Sequence, residues 1–201
     1  MSQSALRLEG VACARGGRLL LTGVNLSLAP GEGALLLGPN GTGKSSLLRT
    51  IAGLLPAFAG TIQRTGKIAL ADENPALDRQ ATLARALGFW ARIDGATPDA
   101  VAAALAATGL DHLADIPVRM LSTGQRRRAT LARVAASAAP IWLLDEPANG
   151  LDTGSIALLG TLVERHLAGG GILVAASHQP LPFAVRHTLD LSAHMPAGEP
   201  A

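Results

Sequence analysis

Three uninterrupted apolar runs, Gly33–Leu37, Ile141–Leu144 and Ile172–Ala176, constrain the fold of this chain more than any other feature. Each is too short for an ordinary helix, and none shows the alternation of a half-buried strand, so each reads as a strand buried on both faces. Helix-like stretches separate them. Strands covered on both faces and joined by helical crossovers make a mainly parallel sheet packed between helices, the α/β class. The earlier runs Leu6–Ala12 and Val24–Leu28 alternate instead and predict half-buried strands, while Thr61–Gln63 and Lys67–Ala71 predict another short pair. From Gln80 to Ala107 the chain turns to Ala, Leu and Arg at helical spacing. This block predicts a helical subdomain of about residues 75–135 inserted within a single domain, 1–201, and the run 196–201 reads as a frayed tail.

Composition narrows the function classes. With 48% apolar and 16% charged residues the 201-residue chain can build a core, which excludes a disordered polypeptide. No apolar stretch reaches the roughly 18–20 residues of a bilayer span. Met1–Gly10 lacks the charged head and apolar block of a signal peptide, so a chain that does not cross a membrane is expected. A single cysteine, Cys13, excludes an internal disulfide. A net charge of +2 and 2% aromatic residues argue against a nucleic-acid partner.

The first apolar strand runs into Gly38-Pro39-Asn40-Gly41-Thr42-Gly43-Lys44-Ser45, and a helix is predicted from about Gly43 to Leu54, stopped by Pro56. Glycines at these places let the backbone wrap a polyphosphate so that its N–H groups and the helix start face the charge. Lys44 would reach the β- and γ-phosphates, and Ser45 would offer a hydroxyl to Mg²⁺. The second apolar strand ends in Asp145-Glu146-Pro147, at the strand end where α/β sheets bind ligands. Asp145 would hold the Mg²⁺ shell, and Glu146 would accept a proton from the water attacking the γ-phosphate. Alone, Asp-Glu-Pro is only a strand followed by a turn; beside the phosphate loop it reads as part of a nucleotide-hydrolysing site.

Further motifs follow in order: Leu121-Ser122-Thr123-Gly124-Gln125 before an Arg-rich helix, Asn149-Gly150-Leu151-Asp152, and Ser177-His178 after the third apolar strand. This set resembles that of ABC-transporter ATPase subunits. The resemblance implies a P-loop NTPase with a mainly parallel core sheet, an N-terminal antiparallel β subdomain and an inserted helical subdomain, using ATP and Mg²⁺. It implies an ATP-dependent homodimer in which Ser122, Gly124 and Gln125 face the ATP of the other protomer, with Asp152 also at the nucleotide and His178 on the γ-phosphate. The dipole of the helix after Ser122 suits that anion. His112, His166, His187 and His194 show no ligand spacing and read as surface residues. Arg126–Arg128 point in different directions on a helix, so a solvated face with one phosphate- or partner-facing Arg is expected.

Two positions depart from the family pattern. Where an aromatic commonly stacks on adenine the chain has Arg15, whose planar guanidinium can also stack on a base. Where a Gln commonly touches Mg²⁺ and the attacking water the loop reads Asp72-Glu73-Asn74-Pro75, and Asn74 is the match, one methylene shorter.

Within the family, Asp115-Ile116-Pro117-Val118, Gln125-Arg126-Arg127-Arg128, Gly169-Gly170-Gly171 and His178-Gln179-Pro180-Leu181 resemble ATP-binding subunits of the heme exporters of cytochrome c maturation. That resemblance implies a motor subunit on the cytoplasmic face of a bacterial inner membrane, peripheral, working with integral membrane permease subunits. Cys13 precedes Ala14 rather than a Pro, so heme is not expected to be bound directly by this subunit. Soluble ABC ATPases of ribosomes or DNA usually carry two motif sets or a long coiled-coil insertion, and this chain shows neither; an exporter ATPase for another substrate stays open. A small-molecule P-loop kinase would leave the Leu121–Gln125 pentapeptide unexplained.

Overall fold

The computed structural model describes residues 5–196, so residues 197–201 of the expected tail lie outside the described residues. The N-terminal alternation forms a long antiparallel hairpin, β1 (Ala5–Arg15) and β2 (Arg18–Leu28). Gly16 and Gly17 turn it at φ of 59° and 79°, the two positive values a tight hairpin loop demands. Register shifts between Leu8 and Ala14 interrupt the period of two, which is why these strands are longer than their alternation predicts.

The first apolar run is β3 (Gly33–Leu37), followed by α1 (Lys44–Ala52). Gly53, in the left-handed conformation, ends α1 before Pro56 is reached. Next come β4 (Ala59–Thr65) and β5 (Ile68–Ala71). These two strands are not a pair: β4 joins the hairpin in a three-stranded antiparallel sheet of order β2-β1-β4, and β5 enters the other sheet. The helical block contains α2 (Leu83–Asp94), α3 (Pro98–Ala107) and α4 (Thr123–Ala136), with single-turn helices between α3 and α4. The chain then forms β6 (Ile141–Asp145), α5 (Thr153–Ala168), β7 (Ile172–Ala176) and β8 (His187–Asp190). The second sheet has order β5-β6-β7-β3-β8, with every neighbouring pair parallel.

Three buried clusters hold these layers together. One, containing Leu6, Leu36, Leu47, Ile51 and Val174, fills the space among the two sheets and α1. A second, containing Trp142, Leu144, Leu159 and Val163, seals the other face of the parallel sheet under α5. The third belongs to the helical block. Helix α4 serves two of them: Ala129, Ala132 and Ala136 face the helical block, while Leu131 and Val134 face the sheet. The start of α4 is thereby tied to both halves. Among the described residues no helix is long and apolar enough to cross a membrane.

Candidate nucleotide site

β3 delivers the Gly-rich loop to the C-terminal edge of the parallel sheet, and β6 and β7 deliver Asp145, Glu146 and His178 to the same edge. Gly43, at φ 106°, opens α1 directly after the loop, and the Thr42 hydroxyl donates back to the Pro39 carbonyl at 2.6 Å. A cleft of about 520 Å³ results, walled by Arg15, Asn40, Lys44, Glu73, Glu146 and His178 among others.

The Lys44 ammonium, 6% exposed, donates to the carbonyls of Gly38 at 2.6 Å and Pro39 at 3.1 Å, and lies 3.9 Å from Glu146 Oε1. His178 Nδ1 stands 2.9 Å from Glu146 Oε2. Glu146 takes φ 47°, uncommon for a residue with a Cβ. It is held there by its N–H bond to Ala176 O at 2.9 Å and by the Arg127 guanidinium, which donates to the carbonyls of Asp145 and Glu146. Strain kept at one carboxylate beside a lysine and a histidine marks a place where side-chain direction matters.

Asp145 is buried, and its Oδ1 has no hydrogen-bond partner. Desolvation pushes its pKa up, opposed first by an interaction with the Ser45 side chain. A buried anionic oxygen left free beside a hydroxyl is a donor set that Mg²⁺ accepts, since that ion takes one or two protein oxygens and completes its shell with phosphate and water. Ser45 and Asp145 therefore fit the cation.

The pattern of the ABC transporter family matches residues 21–149. The chain belongs to the ABC transporter family. Among curated relatives, a cytochrome c biogenesis ATP-binding export protein of Zymomonas mobilis is 52% identical over 92% of this chain and 84% of its own length. One of Novosphingobium aromaticivorans is 51% identical over 98% of this chain and 100% of its own. Among solved structures, an ABC transporter ATP-binding protein of Pyrococcus furiosus shares the fold, with TM-score 0.84 and 23% identity over 96% of this chain and 100% of that one. A cbiO1 structure from Clostridium perfringens, described as part of an ABC transporter complex, aligns with TM-score 0.72 and 27% identity over 89% of this chain and 80% of that one.

Of the other family motifs, Asn149 reaches the Lys44 cleft of its own chain, whereas Ser122, Gly124, Gln125 and Asp152 do not line it. Ser122 caps α4: its Oγ accepts from Gln125 N at 3.2 Å, and Gln125 Oε1 accepts from Ser122 N at 2.8 Å, leaving the Ser122 hydroxyl proton free to donate outward. Gly124 packs against Gly150 O, where a Cβ would come to 3.5 Å, and Asp152 caps α5 through Ser155 N at 2.7 Å. The signature helix and the Asn149–Asp152 segment thus form one surface.

Three placements differ from expectation. In the loop after β5, Glu73 lines the cleft, while exposed Asn74 turns its N–H onto Asp72 Oδ1 at 3.0 Å. Arg126–Arg128 are not a solvated face. Besides Arg127 on the Asp145–Glu146 turn, Arg128 donates to the carbonyls of Thr108 and Gly109, both at 3.1 Å. The signal was available, because 127, 131 and 134 share the helix stripe that faces the sheet. His166 is no surface residue: it stacks on Trp142 at 3.8 Å between ring centroids, and burial lowers its pKa.

Proposed function

We propose that this chain is the ATP-hydrolysing motor subunit of a bacterial ABC exporter for cytochrome c biogenesis, with heme as the cargo of its membrane permease. The similarity to the Novosphingobium export protein, 51% over 98% of this chain and the whole of that one, carries the reading. On it, the subunit is peripheral on the cytoplasmic face of the inner membrane and does not itself bind heme.

The charged and polar residues around Lys44 divide the work among them. Lys44 exchanges the Gly38 and Pro39 carbonyls for the β- and γ-phosphates, while the loop N–H groups and α1 cradle the remaining oxygens. Ser45 and Asp145 would hold Mg²⁺, which would supply neutralisation of phosphate charge. Glu146, with one oxygen toward Lys44 and the other toward His178, accepts the proton of the attacking water. His178 orients that carboxylate and faces the γ-phosphate, and Arg15 on the cleft wall stacks on the base. Asn74, next to Glu73 in the same loop, is the residue assigned to the attacking water and Mg²⁺.

Because Ser122, Gly124, Gln125 and Asp152 sit outside their own cleft, a second copy is required to bring them to the nucleotide, and this supports an ATP-dependent homodimer. The segment around residues 74–83 lies between the cleft loop and the helical block, and Arg79 and Gln80 are exposed there. It is the proposed contact with a cytoplasmic helix of the permease. Co-purification in detergent with the neighbouring membrane subunits tests the reading: association that charge reversal at Arg79 weakens is expected. A chain that never associates and instead sediments with ribosomes would overturn it.

A further inference from the structure

The loop that brings Glu73 to the cleft is bracketed by two side chains that also touch each other. Upstream, the Arg133 guanidinium of α4 donates to the carbonyl of Leu70 in β5. Downstream, the Trp90 indole N–H of α2 donates to the carbonyl of Ala76 at 2.6 Å. The two side chains then stack, with Arg133 Cζ 5.3 Å from the Trp90 ring centroid, a cation held over an aromatic face. Ala76 adopts φ 50°, a conformation a residue with a Cβ keeps only where its surroundings enforce it.

Packing alone does not account for this arrangement. Arg133 is largely buried and its Nε has no hydrogen-bond partner, which costs folding free energy that an apolar side chain would spare. What the guanidinium supplies is connection: one group touches the edge strand of the sheet, a helix of the inserted block, and α4, whose first turn is the Ser122 cap.

We propose that Arg133 and Trp90 form a positioning clasp that fixes the 72–75 loop, and with it Glu73, to the helical block. The proposal rests on reading the Lys44 cleft as the ATP site. Since the clasp joins α2 and α4 to both ends of the loop, any rotation of the block against the sheet displaces Glu73 and the Ser122 helix start together. The partners of the pair are positioning residues; neither lines the cleft.

Full-length protein carrying Arg133→Lys, Trp90→Phe or both is the test, with ATP turnover and backbone hydrogen exchange measured side by side. Lys keeps the charge but loses the planar fork, and Phe keeps the ring but loses the N–H to Ala76. Each single change is expected to lower kcat by about three- to tenfold while KM for ATP stays within about twofold. Amide exchange should rise in residues 72–77 and stay unchanged in β7. The losses should not multiply in the double variant, because both changes open the same clasp. Unchanged kcat and loop exchange in a folded Trp90→Phe protein would overturn the proposal, as would losses that multiply. If the parent itself fails to hydrolyse ATP, the nucleotide reading falls, and loop exchange still decides the clasp.

Discussion

Replacing Asp145 by Asn should make the free protein more stable and its nucleotide-bound form less so. Asp145 is 6% exposed, one of its oxygens has no partner, and desolvation raises its pKa from the ordinary value. A folded pKa above the unfolded one means that the neutral form favours the fold. That advantage is complete below about pH 4, the unfolded value, and is lost as pH rises through the raised folded value. Above the folded pKa the ionised group opposes folding. An unsatisfied buried acceptor costs about 1–3 kcal/mol, and the Asn amide, isosteric but bringing N–H donors of its own, recovers part of it, or roughly 1 kcal/mol. In a chain of this size that is about 2–4 °C in Tm. Scanning fluorimetry of the free variant at pH 7 should show this gain, shrinking toward pH 4. With ATP and Mg²⁺ the order should invert, because ligand at a hundred times its Kd adds about 2.7 kcal/mol to a protein that binds it and little to one lacking the anionic oxygen. A variant less stable than its parent without nucleotide, or stabilised equally by ATP with Mg²⁺, would refute the argument.

Other substitutions separate the remaining roles. Lys44→Ala removes a charged donor from the phosphates and should weaken ATP binding about ten- to a hundredfold by calorimetry with the fold intact, since such a hydrogen bond is worth about 1.5–3 kcal/mol. Glu146→Gln should keep ATP affinity and lose about 10²–10⁴ in turnover, and ultracentrifugation with ATP and Mg²⁺ should find it dimeric; normal hydrolysis would remove Glu146 from the mechanism. Ser122→Ala should cost about 1 kcal/mol of stability through the lost cap. It should also lower turnover while leaving the affinity of an isolated protomer for ATP unchanged by equilibrium titration. Arg15→Ala should weaken ATP more than triphosphate alone, as competition binding would read.

The parallel sheet was legible because β3, β6 and β7 are buried on both faces and carry no polar interruption. The edge strand β8 was not: His187–Asp190 is only four residues, half exposed, and pairs on one side alone, so nothing in its pattern distinguishes it from a loop. Helix α5 was expected between the second and third apolar runs, but its start was not: the motif draws attention to Asp152 as a nucleotide residue, and its observed bond is the helix cap. Pairing failed for β4 and β5 because adjacency in sequence suggests a hairpin, while the Arg64 guanidinium against Ile51 O keeps β4 beside α1 and the first sheet.

In the site, regular elements transmitted their motifs and irregular backbone did not. Lys44, Asp145, Glu146 and His178 converge because each stands at a strand end or helix start of one sheet, whose edge is set by the fold. The loop after β5 has no period to say which side chain turns inward, and matching by position selects Asn74 where the cleft wall is Glu73. That exchange changes the electrostatics. Glu73 and Glu146 line the cleft, and the charges of Glu146 and Asp72 also help to raise the pKa of buried Asp145. Lys44, the lysine on that wall, is engaged by the Gly38 and Pro39 carbonyls before any phosphate arrives. Metal-free ATP would therefore bring about four negative charges toward carboxylates that repel it, a repulsion that Arg15 on the same wall offsets only in part. If Ser45 and Asp145 hold Mg²⁺ as proposed, ATP with its charge matched by that cation should bind this cleft more tightly than metal-free ATP, and equal affinities in titrations with Mg²⁺ and with a chelator would refute this.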